Sequence, residues 1–260
     1  MDNSQITHLS LCAGYGGIDL GLKRMLRSAR TIAYAEIDEF ASGVLAARME
    51  GGQLDPAPIW PDVKSFPYRA FHGKVDILSA GYPCQPFSQA GLQLGAADPR
   101  HLWPAIAEGI RLVRPGFVFL ENVQGHLTLG LDAVLRDLQG VGYRSTFGLF
   151  SAAEVGACHE RRRVFVLAHS VCERGLVSFG RVVSAIQDAG GEGQTGRTPD
   201  GWSDHTGWAV EPCIRGGDDG RTHRVDRLRL LGNGVVPAVA ERAFRVLLTQ
   251  LNDDLRPTPT

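Results

Sequence analysis

The chain has 260 residues, 43% of them apolar, and 27 basic against 28 acidic side chains, for a formal charge of −1. That size suits one sizeable domain, or one with a smaller lobe, and neither a membrane span nor a secretion signal is legible in it. Charge announces no nucleic-acid partner, and five cysteines (12, 84, 158, 172 and 213) without a C-x-x-C pair argue against a disulfide framework or structural zinc and suit a reducing cytoplasm.

The first predicted strand, residues 7–12, runs into Ala13-Gly14-Tyr15-Gly16-Gly17 and a helix over 18–26. Glycines there let the backbone turn sharply and approach a ligand closely. The loop departs from the full G-x-G-x-x-G fingerprint, which favours an adenosine cofactor smaller than NAD. A second strand over 31–36 ends at Glu36, where an acid accepts hydrogen bonds from ribose hydroxyls in nucleotide-binding α/β folds. A tight turn and a surface acid would explain the same residues without a ligand. After a helix over 40–49, Trp60-Pro61-Asp62-Val63 marks a break from which Asp62 reaches towards an adenine amino group, or serves as an ordinary loop acid.

A third strand, 75–80, leads into Gly81-Tyr82-Pro83-Cys84-Gln85-Pro86-Phe87-Ser88. A packing cysteine would sit inside the strand, whereas Cys84 lies between two prolines beyond it. A helix over 103–113 and a strand over 117–121 follow, the latter ending in Glu121-Asn122-Val123. Next come a helix over 131–138 and strands over 144–150 and 163–168. This alternation predicts an α/β fold with a mainly parallel sheet covered on both faces, whose ligands bind beyond the carboxyl ends of the strands. Between 171 and 220 glycines crowd and the hydrophobic period weakens, which predicts a small lobe, long loops or disorder. Val236-Pro237 then opens an amphipathic helix with Val239, Ala240, Phe244, Leu247, Leu248 and Leu251 along one face. His101, His126 and His169 read as structural, and no metal site is expected.

Pro83-Cys84-Gln85 and Glu121-Asn122-Val123, with the opening glycine loop, closely resemble the DNA cytosine-5 methyltransferases. Gly156-Ala157-Cys158-His159-Glu160-Arg161-Arg162-Arg163 is similar to that family's Gln-x-Arg-x-Arg segment, and Gly232-Asn233-Gly234-Val235-Val236-Pro237 to its closing Gly-Asn-x-Val motif. The resemblance implies a Rossmann-like S-adenosylmethionine-dependent fold, with a catalytic domain over 1–170 and 222–260 and a short target-recognition region over 171–221. It implies that Cys84 adds to cytosine C6 while Glu121 hydrogen-bonds N3 and the exocyclic amine, and that Arg161 and Arg163 position the base and a flanking phosphate. The cofactor would be held by Ala13, Gly14, Tyr15, Gly16, Gly17, Glu36, Ile37, Asp62, Val63, Pro83, Asn233 and Val235. DNA would be contacted by Gln85, Ser88, Arg224 and Arg227, with residues 85–100 closing as a loop over a flipped base.

Double-stranded DNA is the implied partner of a monomeric cytoplasmic enzyme from a bacterium or phage, with a cognate restriction endonuclease as a further companion. A tRNA-directed methyltransferase and a catalytically silent nucleic-acid-binding homologue remain alternatives. Three departures stand out: Cys12 replaces a family phenylalanine, His159 replaces glutamine, and the basic segment before Gly232 is short. Arg221, Arg224, Arg227 and Arg229 in that segment read equally as phosphate contacts or as a solvated face.

Overall fold

The computed structural model describes residues 5–83, 102–190 and 232–255. One sheet carries seven strands in the order β3-β2-β1-β4-β5-β7-β6. They are β1 (Ile6–Leu11), β2 (Ala29–Ala35), β3 (Ile59–Trp60), β4 (Ile77–Gly81), β5 (Phe117–Val123), β6 (Tyr143–Phe150) and β7 (Arg163–Ser170). Strands β1 to β5 are parallel, and β7 runs antiparallel to both β5 and β6. The helices are α1 (Gly17–Met25), α2 (Glu39–Glu50), α3 (Trp103–Val113), α4 (Leu131–Gly140), α5 (Glu173–Gly190) and α6 (Pro237–Leu255).

The period-two pattern of β5 shows why helices cover both faces. Phe117 and Phe119 enter a core shared with Leu22 of α1, Phe179 of α5 and Phe244 of α6. Val118 and Leu120 point the other way, against Ile106 and Ile110 of α3 and Val134 and Leu138 of α4. A central strand buried on both sides needs an apolar residue at every position, and Phe117-Val118-Phe119-Leu120 supplies one. Each such side chain contributes about 1.5–3 kcal/mol by leaving water. All six apolar positions expected along the last helix are buried, from Val239 to Leu251.

Two elements were not expected. Strand β3 is only two residues long and adds an edge beside β2, through Tyr34↔Ile59 and Ala35↔Trp60. Helix α5 occupies the first part of the segment read as aperiodic. Its buried Phe179 and Val182, with Val183 and Ile186 beside them, recur at helical spacing and join the main core. The glycines that masked this period have a packing reason at Gly175, where a Cβ would come within 2.1 Å of the Ser170 carbonyl oxygen. Asp76 ties α5 down further, accepting from Ser178 Oγ at 2.9 Å and Arg181 Nη1 at 2.8 Å.

A polar cluster inside the parallel half of the sheet fixes the strands that carry the site. Asp19, in the first turn of α1, accepts from Ser10 Oγ at 2.9 Å and Thr31 Oγ1 at 3.2 Å. His8 Nδ1 lies 2.9 Å from Thr31 Oγ1, and His8 Nε2 lies 2.8 Å from Ser79 Oγ. Buried polar groups must find partners, and here that requirement joins β1, β2, β4 and α1 in one arrangement.

Candidate active site

Chain order and strand order part company at β1: the chain steps outward through β2 and β3, then returns to place β4 on the other side. Such a switch point opens a crevice beyond the carboxyl ends of the two flanking strands. The strand tips stand level there, through the register pairs Leu11↔Ala35, Leu11↔Ala80 and Gly81↔Glu121. Because β7 is reversed, its first residue reaches the same rim, with Arg163 paired to Val123. One antiparallel strand thus brings the arginine-rich segment beside Glu121.

On the β1 side, the loop from Cys12 to Gly16 leads into α1. Gly16 has φ +83 as the residue capping the helix, a left-handed conformation that glycine adopts without steric cost. Glu36, just past β2, accepts from the Gly14 amide at 2.6 Å and from the Asp38 amide at 2.9 Å. Its carboxylate is therefore fixed, while each oxygen keeps a lone pair for a ligand. Ile37 beside it is 73% exposed, an unusual place for a branched apolar side chain. Asp62 caps the turn Val63–Ser65 by accepting from the Lys64 amide at 2.8 Å. Val63 is buried, and its carbonyl accepts from Tyr68 Oη.

Cys12 shows that these groups converge. Its thiol pKa is pushed up to about 12, first by burial and then by the carboxylates of Glu36 and Asp62. It is a neutral lining group, adjacent to two acids from different strand ends. Its φ of 49 places a non-glycine residue in the left-handed region.

On the β5 side, Glu121 is 5% exposed and paired with Arg163, Nε to Oε1 at 2.9 Å. The two residues lie diagonally across the β5–β7 pair, within reach of long side chains. Burial raises the Glu121 pKa to about 7, against the opposing pull of Arg163 and Arg161. The carboxyl group is thus poised between its protonated and ionised forms near neutrality, as a proton-exchanging group should be. Its Oε2 faces Gly81, where an added Cβ would stand 3.4 Å away. Asn122 next to it is buried, its Oδ1 accepting from the Val123 amide while its Nδ2 has no partner among the described residues. An open cleft of about 490 Å³ lies alongside, lined by Val123, Gln124, Gly125 and residues 160–163.

The closing segment joins these two sides. Val235 is buried, and Gly17 allows its backbone to approach α1 so closely that a Cβ at 17 would sit 2.1 Å from the Val235 oxygen. Tyr15 Oη donates to that same carbonyl. Arg161, expected beside the base, turns its guanidinium to the carbonyls of Gly232 (2.7 Å) and Gly234. Asn233 is exposed. Pro83, the last described residue before the cysteine, is exposed, and Tyr82 packs beneath it with its hydroxyl 3.1 Å from His126 Nε2. His169 is buried against Phe117 and Phe179. Cys84, Gln85, Ser88, Arg224 and Arg227 lie outside the described residues, as do 85–100, His101 and 191–231.

Sequence reasoning missed Arg48, which stacks 5.0 Å over the Tyr15 ring and donates from Nη1 to the Tyr15 carbonyl at 2.7 Å. Nothing in spacing ties residues 15 and 48 together. It also missed the lining residues Gln124 and Gly125, although the Glu121-Asn122-Val123 motif pointed directly at their position.

Comparison with known proteins gives a consistent result. Residues 6–175 match the C-5 cytosine-specific DNA methylase family. The type II methyltransferase M.NgoMIV of Neisseria gonorrhoeae is 36% identical over 171 residues, covering 63% of this chain and 52% of that protein. M.NaeI of Lentzea aerocolonigenes is 30% identical over 225 residues, covering 80% of this chain and 52% of that protein. The chain thus spans about half the length of these curated relatives. Among solved structures, the S. pombe Dnmt2 methyltransferase superposes with a TM-score of 0.54 at 21% identity, covering 65% of this chain and 52% of that one. A putative DNA modification methyltransferase from an E. coli prophage gives 0.53 at 22%, covering 64% and 47%. These superpositions establish the shared fold.

Proposed function

Because the chain belongs to the C-5 cytosine-specific DNA methylase family, we propose that it transfers a methyl group from S-adenosylmethionine to C5 of cytosine in double-stranded DNA. The observation that carries this reading is the buried Glu121–Arg163 pair, level with Gly81 on the strand that leads to Pro83-Cys84.

The residues of the crevice fit the cofactor. Glu36 keeps acceptor capacity for ribose hydroxyls while two backbone amides hold it still. Ile37 offers an exposed apolar surface to a flat base, and the Asp62–Val63 turn offers an acceptor and a backbone amide to the base edge. Cys12 lines the crevice between these groups as a small, uncharged side chain. The glycine loop opens α1, so its backbone would allow a bound cofactor to come close. When bound, the cofactor supplies an electrophilic methyl carbon.

The remaining steps belong to the protein and the base. Cytosine C5 is too weak a nucleophile to take a methyl group unaided. Cys84 as thiolate adds to C6, and Glu121 donates a proton towards N3, so electron density gathers at C5. A pKa near 7 suits Glu121 to this, since it is available in the protonated form at neutral pH and can accept the proton back. Arg163 holds the carboxyl group in place and limits how far its pKa climbs. Once C5 carries the methyl group, loss of its proton to a base expels Cys84 as thiolate and restores the ring. The target carbon is hidden in duplex DNA, so the base must leave the stack, at a cost of a few kcal/mol. Of the segment 171–221, read as the target-recognition region, helix α5 packs into the main core, so target recognition is left to residues 191–221, and a cognate endonuclease is assigned to the same bacterial or phage-infected cell.

Tritiated-methyl transfer to duplex DNA, with tRNA as competitor, tests the proposal. Label at cytosine C5 that disappears in Cys84→Ser supports it. Transfer to tRNA in preference to DNA, or transfer that survives the substitution, refutes it.

A further inference from the structure

We propose that Tyr15 and Arg161 form a clasp that holds residues 232–235 across the crevice, making both of them positioning residues for the cofactor. The inference rests on the cofactor reading given above. It goes beyond that reading by giving these two side chains a task towards the protein's own backbone.

Three carbonyls of one short segment are collected by side chains from opposite halves of the site. Tyr15, inside the glycine loop after β1, donates its hydroxyl to the Val235 carbonyl. Arg161, on the approach to β7, donates to the carbonyls of Gly232 and Gly234. Each terminal nitrogen of the guanidinium takes one carbonyl, a rigid two-point geometry that the single nitrogen of a lysine does not match. Arg161 makes these bonds from a backbone at φ 32, a left-handed conformation costly for an arginine. Arg48 fixes the other arm, covering the Tyr15 ring and bonding its carbonyl.

The clasp is separate from the docking of the helix that follows. Helix α6 is anchored by Val239, Ala240, Phe244 and Leu247 in the main core, and Gly21 lets it lie close to α1. Loss of one hydroxyl or one guanidinium leaves that apolar contact in place. What it releases is the backbone that lies against the glycine loop and, through Arg161, the group beside Arg163 and Glu121. A cofactor seated in the loop would meet a closed wall with the clasp made and an open one without it.

The test uses the full chain and tritiated S-adenosylmethionine in equilibrium dialysis, with kcat for methyl transfer measured separately. Tyr15→Phe and Arg161→Lys should each weaken cofactor binding roughly tenfold, the effect of one well-placed hydrogen bond. The double variant should be no worse than about twice either single one, because both open the same clasp. Failure of the wild-type chain to bind would defeat the cofactor reading itself. Wild-type affinity retained in both variants overturns the clasp alone, as does a double variant whose losses multiply. Thermal melting of each variant guards against misfolding, and a loss confined to kcat also counts against the proposal.

Discussion

Replacing Glu121 by glutamine should change how the protein's stability depends on pH, and the structure sets both sign and size. The carboxyl group is buried, and its pKa in the folded protein stands at about 7 against an ordinary value of 4.5. A folded pKa above the unfolded one means the native state binds the proton more tightly. That stabilisation is complete below about pH 4.5 and disappears as pH rises through about 7. At 1.36 kcal/mol for each pH unit, the difference amounts to about 3 kcal/mol. Glutamine keeps the shape, never ionises, and leaves Arg163 without its anion at every pH. Its stability relative to wild type should therefore improve by about 3 kcal/mol between pH 4.5 and pH 8, whatever the offset from the lost ion pair. Urea unfolding of both proteins across that range measures this directly. Wild-type and Glu121→Gln curves that run parallel with pH would show that folding leaves the Glu121 pKa unshifted, and the account of its poised proton would fall.

Three further substitutions or probes follow from the packing. Gly17→Ala places a methyl group 2.1 Å from the Val235 oxygen, and should lower stability by about 3 kcal/mol through overpacking, read as a fall in melting temperature of roughly 6–10 °C. Asp76→Asn removes the charge that holds Arg181 and weakens its bonds with Thr7 and Ser178; a loss of about 2 kcal/mol is expected in urea unfolding. Cys12, with its pKa near 12, should resist iodoacetamide at pH 8 while the exposed Cys158 is alkylated, as mass spectrometry of peptides would show.

Much of the fold was legible because its signals are local. Strand β5 and helix α3 carry uninterrupted apolar patterns, and the structure places them where those patterns end. Helix α5 was lost because Gly175 and Gly180 dilute the composition, although Phe179, Val182, Val183 and Ile186 keep the period; the need for glycine at 175 comes from Ser170, a contact invisible until the chain has turned back on itself. The site divides in the same way. Glu36, Asp62 and Glu121 end strands or follow proline-marked breaks, so strand logic alone located them. The direction of the Arg161 side chain depends on where the closing segment lands, seventy residues later in the chain, and no spacing rule predicts that.

The topology explains why the candidate residues are scattered yet few. A parallel sheet delivers one loop per strand to its carboxyl rim, and the reversal between β1 and β4 leaves that rim open between the glycine loop and Pro83. Each strand can contribute one or two chemical groups there, and β1, β2, β4 and β5 do so. An all-parallel sheet would send the start of β7 to the opposite rim, so Glu121 would have a buried carboxylate and no cation. Reversing β7 brings Arg161 and Arg163 to the site from the start of the strand, one to hold the closing segment and the other to hold Glu121. The antiparallel strand is thus the structural condition for a carboxyl group that stays buried, paired and able to exchange a proton near neutral pH.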